Sequence, residues 1–156
     1  MNEDEFCMTQ ENLTNKGKSG EVDAVSRALA NIYTGVFSID LVSDRYVLIK
    51  SQKEVMKLIA DIVSAREAIR IAIENTAASE NLEEMLDFID LDTLPKRMKT
   101  ECFLNREYMG TLSGWVRGSF IEVERDENKT LTKVLYAYQV IDAEKRIELE
   151  KQQAMR

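Results

Sequence analysis

The residues that could do chemistry fall into three groups. Glu83, Glu84, Asp87 and Asp90 crowd the stretch NLEEMLDFID. Paired carboxylates can act as general acid and base, or hold a hard cation when ligands converge from several elements. On one helix, however, they make a solvated face. The second group is Tyr108, Trp115, Arg117, Tyr136 and Tyr138, aromatic rings and a guanidinium on strand-like runs. They could line a ligand pocket, with the tyrosine hydroxyls and Arg117 orienting a small molecule. Equally, the rings could pack a core while Arg117 pairs with Glu122 or Glu107 across a sheet. Gly118, in mid-strand, marks a bulge or a close backbone approach that makes room for a ligand or a helix. The third group, GKSG at Gly17–Gly20, lacks the upstream glycine and the strand of a phosphate-binding loop, and reads as linker. Histidine is absent, which excludes His-based acid/base catalysis, Ser-His and Cys-His nucleophiles and His metal sites. No metal site is expected.

A chain of 156 residues suits one domain with a proper core. Its net charge of −7 argues against nucleic acid or anionic membrane as partners, since both demand clustered positive charge. No apolar run is long enough to span a bilayer. The N-terminus, MNEDEFCMTQENLTNKGKSG, has neither the basic nor the apolar region of a signal peptide, so a cytoplasmic location is expected. Cys7 and Cys102 form no CxxC pair and read as two free thiols.

The elements that must position these residues follow from periodicity. Residues 1–18 read as a disordered tail. Ser19 could cap a helix running to Ala30, with Val22, Val25, Ala28 and Leu29 at helical spacing. Tyr33–Leu41 and Tyr46–Lys50 flank the turn-formers Ser43 and Asp44, a hairpin pattern. Ser51 with Glu54, and Ser64 with Glu67, are capping-box signatures. The second either opens a new helix to about Thr76 or lies inside one continuous helix. A helix with Leu82, Met85, Leu86 and Ile89 on one face follows, then a short turn carrying Pro95. From Glu101 three strand-like runs appear, separated by a turn at Gly110–Gly114 and a loop at Asp126–Lys129. Asp142–Arg156 is rich in helix formers. The expected class is α+β: a five-stranded antiparallel sheet with helices inserted between strands two and three. Both faces of the last strand carry apolar groups, so both must be covered, one by the middle helices and the other by the N-terminal helix or a second subunit.

From Val22 to Arg146 this order resembles a PAS domain. The likeness is carried by Trp115-Val116-Arg117, the loop at Asp126-Glu127-Asn128, and Asp142 followed by Glu144-Lys145-Arg146. The stretch NIYTGVFSIDLVSDRYVLIKS is similar to a first PAS hairpin. Two departures stand out: Asp142 is followed by Ala143 and Glu144 rather than a DIT triplet, and the helical middle is long. The resemblance implies a PAS-like domain over residues 19–141 and the start of a C-terminal signalling helix over 142–156, so that the sheet is flanked by N- and C-terminal helices. More narrowly, the chain is similar to input modules ahead of GGDEF diguanylate cyclase domains or histidine kinase cores in bacterial two-component and c-di-GMP signalling.

The expected function is therefore a non-catalytic sensory input domain that passes a ligand or partner signal along its C-terminal helix to a downstream effector. Asp142, Lys145 and Arg146 are the expected signal junction, because charged groups exchange partners cheaply. A homodimer is implied, with Val140, Ile147 and Ala154 seven apart as half a coiled-coil seam. The chain stops mid-helix by pattern, which suggests a piece of a longer protein. No cofactor is expected: there is no histidine for haem and no recognisable flavin-adduct cysteine. The small-molecule ligand is unknown. Two alternatives remain open, a ligand-free dimerisation module of the same fold and a small carboxylate-based enzyme.

Overall fold

A computed structural model describes residues 31–155 together with Ala24 and Ala28, both helical. The expected tail over 1–18 and most of the expected Ser19–Ala30 helix lie outside the described residues. The elements are β1 (Gly35–Asp40), β2 (Arg45–Lys50), α1 (Lys53–Ile59), α2 (Ala65–Thr76), α3 (Ser79–Phe88), α4 (Leu94–Arg97), β3 (Phe103–Gly110), β4 (Gly114–Arg125), β5 (Leu131–Val140) and α5 (Asp142–Ala154). The strands form one sheet in the order β2-β1-β5-β4-β3. Every neighbouring pair is antiparallel. A five-stranded antiparallel sheet with its helices between strands two and three is the PAS-like α+β architecture that the resemblance implies.

Local chemistry explains most boundaries. The first hairpin turns because the Asp40 carboxylate accepts from Val42 N (2.9 Å) and Ser43 N (3.1 Å), while Asp44 takes a left-handed φ of 57°. Asp44 then secures α2: its carboxylate accepts from Ser64 Oγ (2.5 Å) and Arg66 N (2.9 Å). Ser64 Oγ accepts in turn from Glu67 N at 3.2 Å, a true N-cap. A new helix therefore opens at Ser64, and the continuous-helix alternative falls.

The Ser51 capping box does not form. Gln52 occupies the N-cap of α1 with no side-chain cap bond. The Ser51 hydroxyl instead meets the Tyr138 hydroxyl at 2.7 Å. At the end of α1 the Tyr46 hydroxyl lies 3.1 Å from the carbonyl of Ile59 and 2.7 Å from that of Ile62, satisfying backbone acceptors where the helix stops. Pro95 sits in the first turn of α4, as its missing N–H favours.

The core lies between the sheet and the four middle helices. Phe37, Phe120, Val134 and Tyr136 from the strands meet Val55, Ile59, Ile69, Met85, Phe88 and Leu94 from the helical side. Ring stacking knits its centre, with Phe88–Phe120 centroids at 5.3 Å and Phe120–Tyr136 at 5.0 Å. On the opposite face Val36, Ile121, Leu135 and Ala137 form a second buried cluster, so β5 is buried on both sides as its sequence requires. Cys102 is disulfide-bonded, which overturns the reading of two free thiols; Cys7 lies outside the described residues. Among the described residues, no helix is long and apolar enough to cross a membrane.

Candidate functional site

The site begins with two glycines in the sheet. Tyr138 on β5 stands opposite Gly35 on β1 and Gly118 on β4. A Cβ at Gly35 would collide with the Tyr138 ring, and one at Gly118 with the hydroxyl end of Tyr136. The two glycines leave a trough into which tyrosine rings settle. Gly118 is thus a close approach, and what approaches is Tyr136 rather than a ligand or a helix.

Beside these rings, between sheet and helices, lies a cavity of about 30 Å³, room for roughly two waters. Phe37, Val55, Ile69, Ile73 and Val116 give it apolar walls, while Tyr108, Tyr136 and Tyr138 supply hydroxyls. Among the described residues no charged side chain lines it. The Tyr138 hydroxyl is engaged by Ser51 and by the Gln52 backbone N–H at 3.3 Å. The Tyr136 hydroxyl is fully buried and meets no partner at full hydrogen-bonding geometry, but the Tyr108 hydroxyl lies close enough to interact with it. Burial pushes the Tyr108 phenol up to about 12, and burial holds Tyr136 well above the ordinary tyrosine range. Both therefore stay neutral and offer hydrogen bonds without charge. At the mouth, Gln52 Nε2 donates to Ser113 Oγ at 3.1 Å, and Leu112 beside it is 43% exposed.

Trp115 and Arg117 do not join this cavity. Alternation along β4 puts them on the other face of the sheet, where they belong with the junction. There Glu107, directly opposite Arg117, accepts from Arg117 Nη2 at 2.8 Å and from Lys145 Nζ at 2.9 Å. Lys145 also lies over the Trp115 ring, 5.1 Å from its centroid. Asp142 accepts from the Trp115 backbone N–H at 3.1 Å and pairs with Arg146 at 2.7 Å. Gly114 makes this last contact possible: its φ is +82°, and a Cβ would strike the Asp142 carboxyl. The three expected junction residues therefore sit in one network tying α5 to β3 and β4. Of the two partners offered for Arg117, the structure selects Glu107.

Hydrogen bonds from Lys145 first, and from Arg117, hold the Glu107 carboxyl below its ordinary range. Those from Arg146 and the Trp115 backbone do the same for Asp142. Because both folded values are depressed, their contribution to attaching α5 is complete above the ordinary carboxylate range and is lost as pH falls through the folded values. We expect α5 amides to lose hydrogen-exchange protection below about pH 4, ahead of the core amides. Loss in step with the core would contradict this assignment.

The acidic group of α3 forms no centre. Glu83, Glu84, Asp87 and Asp90 are all exposed, and Glu84 pairs with Arg106. Among the described residues no cluster of three or more metal-ligating side chains occurs. Sequence reasoning missed Ser51, Gln52 and Ser113 at the cavity and Glu107 as the hub of the junction. Only Glu107 left a trace, as one of two possible partners for Arg117.

No family model matches the chain, and no curated protein matches it. Among solved structures, the chain is similar to the N-terminal domain of a diguanylate cyclase with PAS/PAC sensor from Marinobacter aquaeolei, at 13% identity and TM-score 0.46, covering 70% of this chain and 96% of that one. It is also similar to a domain of a light and redox sensing histidine kinase from Haloarcula marismortui, at 12% identity and TM-score 0.45, covering 74% and 96%. An RNA-binding Light-Oxygen-Voltage receptor is similar over 78% of this chain and 35% of its own length, at 13% identity and TM-score 0.41.

Proposed function

We propose that this chain is a non-catalytic sensory input domain whose cavity reports to α5. One observation carries the reading: the cavity mouth and the junction share the β3–β4 turn. Ser113 is held by Gln52 at the cavity, and Trp115, two residues on, holds Asp142 at the start of α5. A ligand that shifts Ser113 must therefore move the backbone that holds the exit helix. The mechanism is a population shift between two settings of that turn. The exposed carboxylates of α3 give no support to the enzymatic alternative.

The output in this reading is a downstream effector such as a diguanylate cyclase or histidine kinase, in a bacterial cytoplasm, working as a homodimer. Support for a partner comes from α5 itself. None of its residues is buried, and Ile147 is 55% exposed. A helix of this length is marginal in water without packing, and a second copy aligned along it would supply the packing. The same observation favours the ligand-free dimerisation module as the second reading.

Trp115 is the single tryptophan, so its emission reports the junction directly. Thermal denaturation should be screened against a neutral-metabolite library while Trp115 emission is followed. Under the sensory reading, compounds that raise the melting temperature also shift the emission, and Gly114→Val abolishes the shift while leaving binding intact. Stabilising compounds that leave Trp115 unmoved would overturn transmission through the turn. A library with no stabilising compound would favour the dimerisation module.

A further inference from the structure

The chemistry of the cavity narrows what it can take. The fully buried Tyr136 hydroxyl meets no partner at full hydrogen-bonding geometry; the Tyr108 hydroxyl is its close polar neighbour, so Tyr136 keeps hydrogen-bonding capacity for a ligand oxygen beside the cavity. Among the described residues the walls offer no charge to pair with an ionised ligand, and bringing an unpaired ion into such a lining is strongly unfavourable. The tyrosines themselves cannot supply a negative charge, since burial keeps both Tyr108 and Tyr136 protonated.

Resting on the sensory reading above, we propose that the cavity binds a small neutral molecule with an apolar body and one hydroxyl or carbonyl oxygen, and that this oxygen hydrogen-bonds to the Tyr136 hydroxyl. The apolar body lies against Phe37, Ile69 and Val116. With room for roughly two waters at rest, the cavity must widen for a six-membered ring. The widening breaks the Gln52–Ser113 hydrogen bond and lifts Leu112. Binding and displacement of the β3–β4 turn are then one event.

The test uses phenol, toluene and benzoate as probes on the full chain and on its Tyr136→Phe variant, by calorimetry and thermal denaturation. Phenol should bind the wild type and bind Tyr136→Phe about five- to tenfold more weakly, the loss of one hydrogen bond. Toluene should bind both proteins equally, and benzoate neither. The unliganded variant should fold with a melting temperature close to that of the wild type, because the ring and its packing are kept. Equal phenol affinity for both proteins, or benzoate binding as tight as phenol, would overturn the proposal. Phenol bound through Tyr136 with Trp115 emission unchanged would keep this ligand class and remove the sensory reading. A charged library compound that stabilises the chain and shifts Trp115, with phenol inert, would do the reverse.

Discussion

Replacing Arg125 with alanine should cost about 3–5 kcal/mol, the range for removing one partner of a buried ion pair. The Arg125 side chain is 15% exposed and pairs through Nε with Glu122, which is 6% exposed. Its Nη2 donates to the carbonyls of Met98 at 2.5 Å and Glu101 at 3.2 Å, and its Nη1 to that of Lys129 at 3.0 Å. One guanidinium thus ties β4 to the end of the helical segment and to the β4–β5 loop. Alanine would leave Glu122 buried without its cation and several carbonyls without a donor. Denaturant unfolding reads the loss as a lower midpoint at unchanged slope. The double variant Glu122→Gln/Arg125→Met should recover a large part of it, because the buried charge goes with its partner. A single-variant loss below about 1 kcal/mol, the scale of an exposed pair, would mean that Glu122 finds solvent or another partner.

Phe120→Ala should be comparably severe, at about 3–5 kcal/mol. Phe120 is fully buried and packs its ring against both Phe88 and Tyr136. It therefore joins the helical layer to the strand that carries Tyr136 and Tyr138. Truncation removes apolar area and leaves a void that the surrounding rings fill only in part. Phe120→Leu keeps most of the volume and should cost far less. The same measurement on both variants separates packing from any special role of the ring: equal losses would contradict a size-dependent cavity cost. The void would lie beside Tyr136, so Phe120→Ala should also loosen the cavity wall.

Much of the scaffold was readable before any coordinates. The strand runs carry alternating or doubly apolar patterns, and Ser64 with Glu67 is a cap whose chemistry is wholly local. The tyrosine cavity was legible in part, since β-rich runs ending in paired tyrosines imply rings on one face. Splitting Trp115 and Arg117 from Tyr108, Tyr136 and Tyr138 needed only the two-residue period of β4, but pooling aromatics by type hid it. Ser51 misled for a different reason. A hydroxyl placed to cap a helix also lies within reach of Tyr138, 87 positions later in the chain, and the tertiary partner won. Gln52 and Ser113 carry no local pattern, because their meeting depends on how the helical segment folds over the β3–β4 turn.

The sheet order has a consequence for how the molecule comes together. Its centre is β5, the last strand made, and Val36 on β1 waits for Ala137 as a neighbour. Until then the β1–β2 hairpin shows an unpaired inner edge, open to pairing with another chain. Closing so long a loop before any sheet contact is rewarded makes acquisition of structure slow relative to chain length. During synthesis, the arm that begins the sheet must be kept out of trouble until the final strand leaves the ribosome.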